Sequence, residues 1–446
     1  MSGSLAPRID LRRIQLILIE LLAVTLPFSF ELGITNTSRI FFPTEPLMIV
    51  LVVIVLAGLL LERGSQSGLF TWHSAIVLPF AAALILGTLF STLIWVSIKF
   101  TAVNLLYLFV FFLVIRLHLV SRPELFRRLV LLYTAGFLLI GILALYRYSL
   151  YDWNPVVVKV LFQPFYKDHT LFGATGALLA AFWLSYPGRG RYLTPLLLQR
   201  GLGVVLAGAV FLSYSRAAIL SLGVFALFRL LFALRARLWQ LGIITAVVLI
   251  YLFINRDMVA EKINTNRHDS GNRQSDLVDH TLSAANINTD VSNRERLNRW
   301  TAGLSMFKSR PGTGFGPGTF QFAYIPFQKP RYMTRLSVTD PLHIPENSGG
   351  TAHSEYILSL SETGIPGILA WLALVGALVA MAFRTASVGS AQELVTTGFA
   401  AVSTYLFHGF FNNFLNTDKF AFLFWGVIAW MTVNAIKSRK HEIRTL

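Results

Sequence analysis

The chain has 446 residues, 54% of them apolar and 13% charged, with a mean hydropathy of +0.61. Soluble domains carry about a quarter charged residues, so a string of soluble domains is excluded. The formal net charge of +16 would point to nucleic acid in a soluble protein; here it fits membrane topology and anionic headgroups, so membrane lipids are expected as partners and nucleic acid is not. The absence of cysteine excludes disulfides, thiolate metal sites and a cysteine nucleophile.

Twelve apolar blocks, each able to hold a membrane helix, follow one another along the chain. They cover roughly 14–30, 45–61, 73–92, 97–115, 125–146, 169–186, 195–212, 217–233, 238–254, 365–383, 393–411 and 419–436. The first has no small-residue cleavage site after it and is read as a retained span. With the N-terminus in the cytoplasm, the inner loops and tails hold 18 cations and the short outer loops seven: Arg39, Lys99, Arg147, Lys159, Lys167, Arg216 and Lys419. The positive-inside rule therefore predicts both termini in the cytoplasm.

Three parts follow: residues 1–254 with nine spans, 255–364 as a large outer loop with surface helices, and 365–446 with three spans and a cytoplasmic tail. The hydrophilic stretch 255–352 carries 12 basic and 9 acidic residues. A loop of this length is expected to be functional and partly folded, with Gln274 to Asn293 its most polar part. No fixed-period repeat is present.

The same topology brings three local features to the outer face. The first is Ser213-Tyr214-Ser215-Arg216, where Ser215 is placed to cap the next helix and Arg216 to sit in its first turn. Backbone donors, a positive helix end and a guanidinium fork suit a phosphate, although an arginine snorkelling at a helix end gives the same pattern.

The second runs from Ser292 to Trp300. Ser292 and Glu295 have capping-box spacing, and Leu297, Trp300, Leu304 and Phe307 form an apolar stripe on a helix that Pro311 ends. This helix is expected on or near the membrane surface. Its Arg294, Arg296 and Arg299 serve a diphosphate or, equally, lipid headgroups.

The third is the run from Asn347 to Glu355, leading to Gly364-Ile365-Pro366-Gly367. Residues 353–363 are too few to span a bilayer, so His353 is expected to begin a short surface helix ending at Gly364. A helix N-terminus would keep that imidazole neutral and basic, though a lone histidine is also commonly structural.

Weaker patterns carry less. Gly312 to Gly318 has the look of a nucleotide loop, but no buried strand precedes it and no Gly-Lys-Ser/Thr follows, so a tight surface turn is expected. His268, Asp269, Asp276, Asp279 and His280 read as a solvated loop, and no metal site is predicted. Asp168 and His169 open the sixth span, facing a polar cavity or, for Asp168, capping the helix. Glu20 and His408 lie within spans and should face protein or water.

Taken together, these features resemble the O-antigen ligase and polymerase superfamily of bacterial membrane glycosyltransferases. The match is carried by Ser213-x-Ser-Arg216, by Arg296-x-x-x-Trp300 followed by Pro311 to Phe320, and by His353-Ser354 with Gly364 and Gly367 at fixed spacing. Position 354 is Ser where the family more often has Asn.

The resemblance implies an all-α, polytopic, GT-C-type integral membrane protein of about twelve helices, in the bacterial inner membrane. It has one large periplasmic loop, and its active site faces the periplasm. It implies transfer of a glycan from undecaprenyl diphosphate to an acceptor hydroxyl, with no cofactor. Lipid A–core is the acceptor of ligases, and another lipid-linked repeat unit or a protein Ser/Thr is the acceptor of related enzymes. By position, Arg216 and Arg296 match diphosphate-contacting arginines and His353 the general base. Ser213, Ser215, Ser354, Arg299, Trp300, Asp168 and His169 would support them.

The chemistry agrees with the residues. A leaving diphosphate needs cationic partners, and the outer loops hold no Asp-x-Asp to fix a metal, which leaves arginine. A sugar hydroxyl needs a base, and such help gives about 10²–10⁴-fold. Direct displacement predicts inversion, metal independence and no covalent glycosyl-enzyme. Ligation to lipid A–core is the first choice among these acceptors, with a repeat-unit polymerase or protein-glycosylating enzyme as the alternative. A lipid or sugar transporter ranks lower, because the polar features cluster outside rather than at the midplane.

Overall fold

The computed structural model describes residues 10–33, 39–61, 72–187, 193–256, 258, 291–340, 351–384 and 390–445. Each of the twelve apolar blocks contains a helix. The first nine are α1 (Leu11–Thr25), α2 (Thr44–Leu61), α3 (Leu78–Leu89), α4 (Ile94–Ser121), α5 (Leu125–Ser149), α6 (His169–Ser185), α7 (Leu193–Leu212), α8 (Arg216–Ala233) and α9 (Leu238–Ile254). An outer helix α10 (Val291–Ser309) precedes α11 (Glu355–Arg384), α12 (Ser390–His408) and α13 (Asp418–Thr445).

Six of the described helices are long and apolar enough to cross a membrane: α2, α4, α5, α8, α11 and the Asp418–Lys437 part of α13. The protein is thus a mainly helical membrane protein. It is not purely helical, because Phe30–Gly33 pairs antiparallel with Arg39–Phe42 in a two-stranded hairpin. The end of the first block, expected to stay helical to residue 30, turns at Pro27 after Thr25 and feeds this hairpin.

Aromatic packing sets the centre of the bundle. The apolar window of α13 is 89% buried while that of α8 is 17% buried, so α13 is an internal helix, as is α6, and α8 lies at the periphery. Trp425 and Trp430 of α13 are fully buried, and Trp430 stacks on Phe126 at 5.5 Å. At its N-terminal end Asp418 accepts from Ser29 Oγ (2.6 Å) and from Thr44 Oγ1, and Lys419 donates to the Ser29 carbonyl at 2.7 Å. One of the cations assigned to outer loops, Lys419, is therefore internal, and with Asp418 it fastens α13 to the ends of α1 and α2.

The segment between α9 and α11, expected on the outer face and hence termed the outer domain, has its own core of Ala302, Met306, Phe320, Tyr324, Val338 and Ala352. Its hub corrects the expected capping box. Ser292 lies inside α10, and Glu295 is buried in an ion pair with Arg299 at 2.8 Å. Glu295 also accepts from Thr334 (2.7 Å) and Ser337 (2.6 Å), while Arg299 donates to the Thr351 carbonyl at 2.8 Å. A buried charge needs such partners, and tertiary pairing outcompeted the local cap. The buried face of α10 is accordingly Glu295, Asn298, Arg299, Ala302, Gly303 and Met306, and Leu304 of the expected stripe is exposed.

The glycine-rich segment is no open surface turn. Phe315 and Gly316 donate to the carbonyls of Ser361 and Glu362 (3.1 and 2.8 Å), and the Glu362 carboxylate accepts from the backbone N–H groups of Gly318 and Phe320, both at 2.8 Å. On its other side, Thr92 N–H donates to the Phe315 carbonyl at 2.9 Å and Ser97 Oγ to that of Pro317 at 2.8 Å. The segment thus wedges between the α3–α4 turn and a kink in α11 at Gly364, whose φ/ψ of 66°/−153° is not helical. This kink falls where the sequence predicts a helix end. It separates a short arm, 355–363, from the membrane part of α11.

Candidate functional site

Ser215 caps α8, accepting from Ala218 N–H at 3.4 Å, so Arg216 is the first helical residue as expected. Asp168 likewise caps α6, accepting from the N–H groups of Thr170 (2.8 Å) and Leu171 (2.9 Å). These two helix starts lie side by side, because His169 Nδ1 donates to the Ser213 carbonyl at 2.7 Å. Gly173 permits the approach: a Cβ there would sit 2.6 Å from Ser213 Oγ and 2.8 Å from Ser215 Cβ.

Arg216 and Arg296, 80 residues apart in sequence, converge on one atom. Asn293 Oδ1 accepts from Arg216 Nη2 at 3.3 Å and from Arg296 Nη1 at 3.2 Å. Two guanidinium groups around one neutral amide oxygen form a cationic pair with an oxygen already at its focus. That geometry fits phosphoryl oxygens. Arg296 also donates through Nη1 to Ser292 Oγ (3.2 Å) and through Nε to the Phe411 carbonyl at 3.3 Å, just past the end of α12.

His353 is not in a helix. It occupies a left-handed turn with φ 48°, and the helix begins at Glu355. Ser354, fully buried, acts as the cap and accepts from Ile357 N–H at 3.4 Å. The expected dipole effect on His353 is therefore weaker than for a residue at the helix start. The turn is held to α10 by Trp300, whose Nε1 donates to the His353 carbonyl at 3.4 Å. It is held to α12 by Glu355, whose N–H donates to the Gly409 carbonyl at 2.8 Å. The Glu355 carboxylate accepts from the N–H groups of Phe414 (3.0 Å) and Leu415 (3.2 Å) and from the Tyr405 hydroxyl.

Of the residues expected to act together, the structure joins Arg216 with Arg296, ties His169 to the Arg216 turn, and links the backbone of the His353 turn through Trp300 to the helix that carries Arg296. It takes Arg299 out of the group: that side chain is fully buried and committed to Glu295. Arg294 points elsewhere, donating to the Arg331 carbonyl at 3.0 Å. Most of Gln274 to Asn293 and all five residues from His268 to His280 lie outside the described residues.

The sequence did not single out the turn 409–415 after α12. It receives Arg296 at Phe411 and the His353 arm at Gly409, Phe414 and Leu415, and its base is the buried His408–Asn412 pair at 2.9 Å. Arg296 and Asp168 are within electrostatic reach of both His169 and His408. A buried histidine at a helix end was the one local signal. The other groups act through backbone carbonyls and amides, which no side-chain motif records.

Fold and cluster define a mainly helical membrane protein in which two arginines from different helices converge on one amide oxygen. A family model described as O-antigen ligase matches residues 201–372, and this segment belongs to the O-antigen ligase superfamily. It is a membrane glycosyltransferase-like family, which supports a transferase role and implies lipid-linked glycans as substrates. The match takes in Arg216, Arg296, His353, Gly364 and Gly367. No curated protein matches the chain.

Proposed function

We propose that the protein is an O-antigen ligase of GT-C type. It moves a polysaccharide from undecaprenyl diphosphate to a sugar hydroxyl of lipid A–core on the periplasmic face of the bacterial inner membrane. The carrying observation is the convergence of Arg216 and Arg296 on Asn293 Oδ1, on the helix that also braces the His353 turn.

In this mechanism the diphosphate displaces Asn293 as the shared acceptor of the two forks. His353 takes the proton of the acceptor hydroxyl as its oxygen bonds to the anomeric carbon, and the bond from that carbon to the diphosphate breaks. The electron pair leaves with the diphosphate, where the guanidinium groups stabilise the added charge. One displacement inverts the anomeric centre, needs no covalent glycosyl-enzyme, and uses arginine in place of a metal.

The test is cell-free transfer with purified donor and acceptor. His353→Ala is expected to lose about 10²-fold or more, and transfer at the wild-type rate would remove His353 as the base. A deletion strain separates ligase from polymerase. Loss of a ligase leaves long glycan on the carrier and bare lipid A–core. Loss of a polymerase leaves core capped by one repeat unit, which would replace this proposal by its sister reaction.

A further inference from the structure

We infer that His169 is a substrate-contacting residue that reads the sugar joined directly to the carrier diphosphate. Its Nε2 accepts a hydrogen bond from a hydroxyl or amide N–H of that sugar. The inference rests on the donor site proposed above and adds a residue to it.

A carbonyl only accepts, so the 2.7 Å contact with Ser213 requires the proton on Nδ1. In the neutral imidazole the second nitrogen is then a lone-pair acceptor. Among the described residues Nε2 has no hydrogen-bond partner, and the side chain is only half-buried, so this acceptor is open to a ligand.

Its location selects the ligand. His169 opens α6 and Arg216 opens α8, and the Ser213 carbonyl that fixes the imidazole begins the four-residue turn presenting Arg216. Arg296 is also within electrostatic reach of the ring. A diphosphate held between Arg216 and Arg296 places its attached sugar beside that turn. A lone-pair acceptor there favours a polar hydrogen donor and disfavours a carboxylate. This tautomer lock, with one nitrogen tied to the backbone and the other left for substrate, is the arrangement that orients histidine in enzyme sites generally.

The two nitrogens can be tested separately, because Asn places an N–H near the position of Nδ1 and Gln places a polar group near that of Nε2. Full-length wild type, His169→Asn and His169→Gln are compared for binding of undecaprenyl diphosphate without sugar, binding of the glycan-loaded carrier, and rate of transfer. His169→Asn is expected to bind the bare carrier within about twofold of wild type, which also shows that the site is folded. It should bind the loaded carrier roughly tenfold more weakly, as expected for one lost hydrogen bond, and transfer correspondingly slower. His169→Gln is expected to weaken both ligands alike, because the Arg216 turn loses its tether.

Wild-type preference for the loaded carrier retained in His169→Asn would overturn the inference and leave His169 as a clasp for the turn. If wild-type protein binds neither carrier, the donor site itself is wrong. That failure is read in the wild type and needs no variant.

Discussion

Arg216 and Arg296 show why a bidentate side chain matters more than charge here. Both donate to one oxygen from opposite helices, a geometry that an ammonium on a flexible stem reproduces poorly. Replacing a charged hydrogen-bond partner costs about 1.5–3 kcal/mol. Arg216→Ala is therefore expected to lower transfer by roughly 10- to 100-fold, and Arg216→Lys by clearly less. Equal activity of Lys and Ala variants in the cell-free assay would argue that the fork is not used.

Arg299 carries the opposite lesson. Its guanidinium is as buried as the core, 5.8 Å over the Tyr324 ring and paired to Glu295. Glu295→Ala would leave that charge unpaired, at a cost of about 3–5 kcal/mol. The expected readout is a large fall in the thermal midpoint of the detergent-purified protein, with proteolysis starting in the outer domain. A midpoint unchanged from wild type would contradict the hub. Sequence placed Ser215 and Asp168 correctly because caps are decided within four residues. It misjudged Ser292 and Glu295 because the partners of Glu295, at Thr334 and Ser337, are about forty residues away.

At the scale of elements, the glycine-rich segment and the α11 kink determine each other. Gly314 has φ 69°, and a Cβ there would lie 2.4 Å from the Glu362 carbonyl carbon. Gly364 has φ 66°, and a Cβ there would lie 2.6 Å from the Pro311 oxygen. At Gly367 a Cβ would lie 1.6 Å from Thr363 Oγ1, so both motif glycines are required by the close packing at the bend. Gly364→Ala combines a left-handed backbone with a backbone clash, and is expected to cost roughly 1–3 kcal/mol of strain or more. Because the arm ahead of the kink follows directly on the His353 turn, transfer should fall together with the thermal midpoint. A variant with full stability and full activity would show that the bend is not needed.

The apolar blocks were legible because each holds about a helix-length of uncharged residues. The wedge was not, because a glycine run looks the same whether it faces water or another backbone. The 30–42 hairpin was lost for a related reason: Phe30 continues the apolar block that precedes it, and two four-residue strands leave no periodic signal.

At the scale of the molecule, the proposed donor requires the outer domain and the arginine pair to share the periplasmic side. Only the placement of cations along the sequence supports that sidedness. The rule is strong here, with 18 cations on one side and seven on the other. It is strengthened by Lys419, which lies buried against Asp418 and so drops out of the exposed outer charge. The chain contains no cysteine, so single reporters can be placed without first removing any. Lys329 is exposed in the outer domain, and Ser121 is exposed between α4 and α5, on the opposite predicted side. In cells with a permeabilised outer membrane, a membrane-impermeant maleimide is expected to label Lys329→Cys at once and Ser121→Cys only after lysis. The reverse pattern would put Arg216, Arg296 and His353 in the cytoplasm. There they would have no access to a periplasmic acceptor, and a ligase could not work from that side however well its arginines fit a diphosphate.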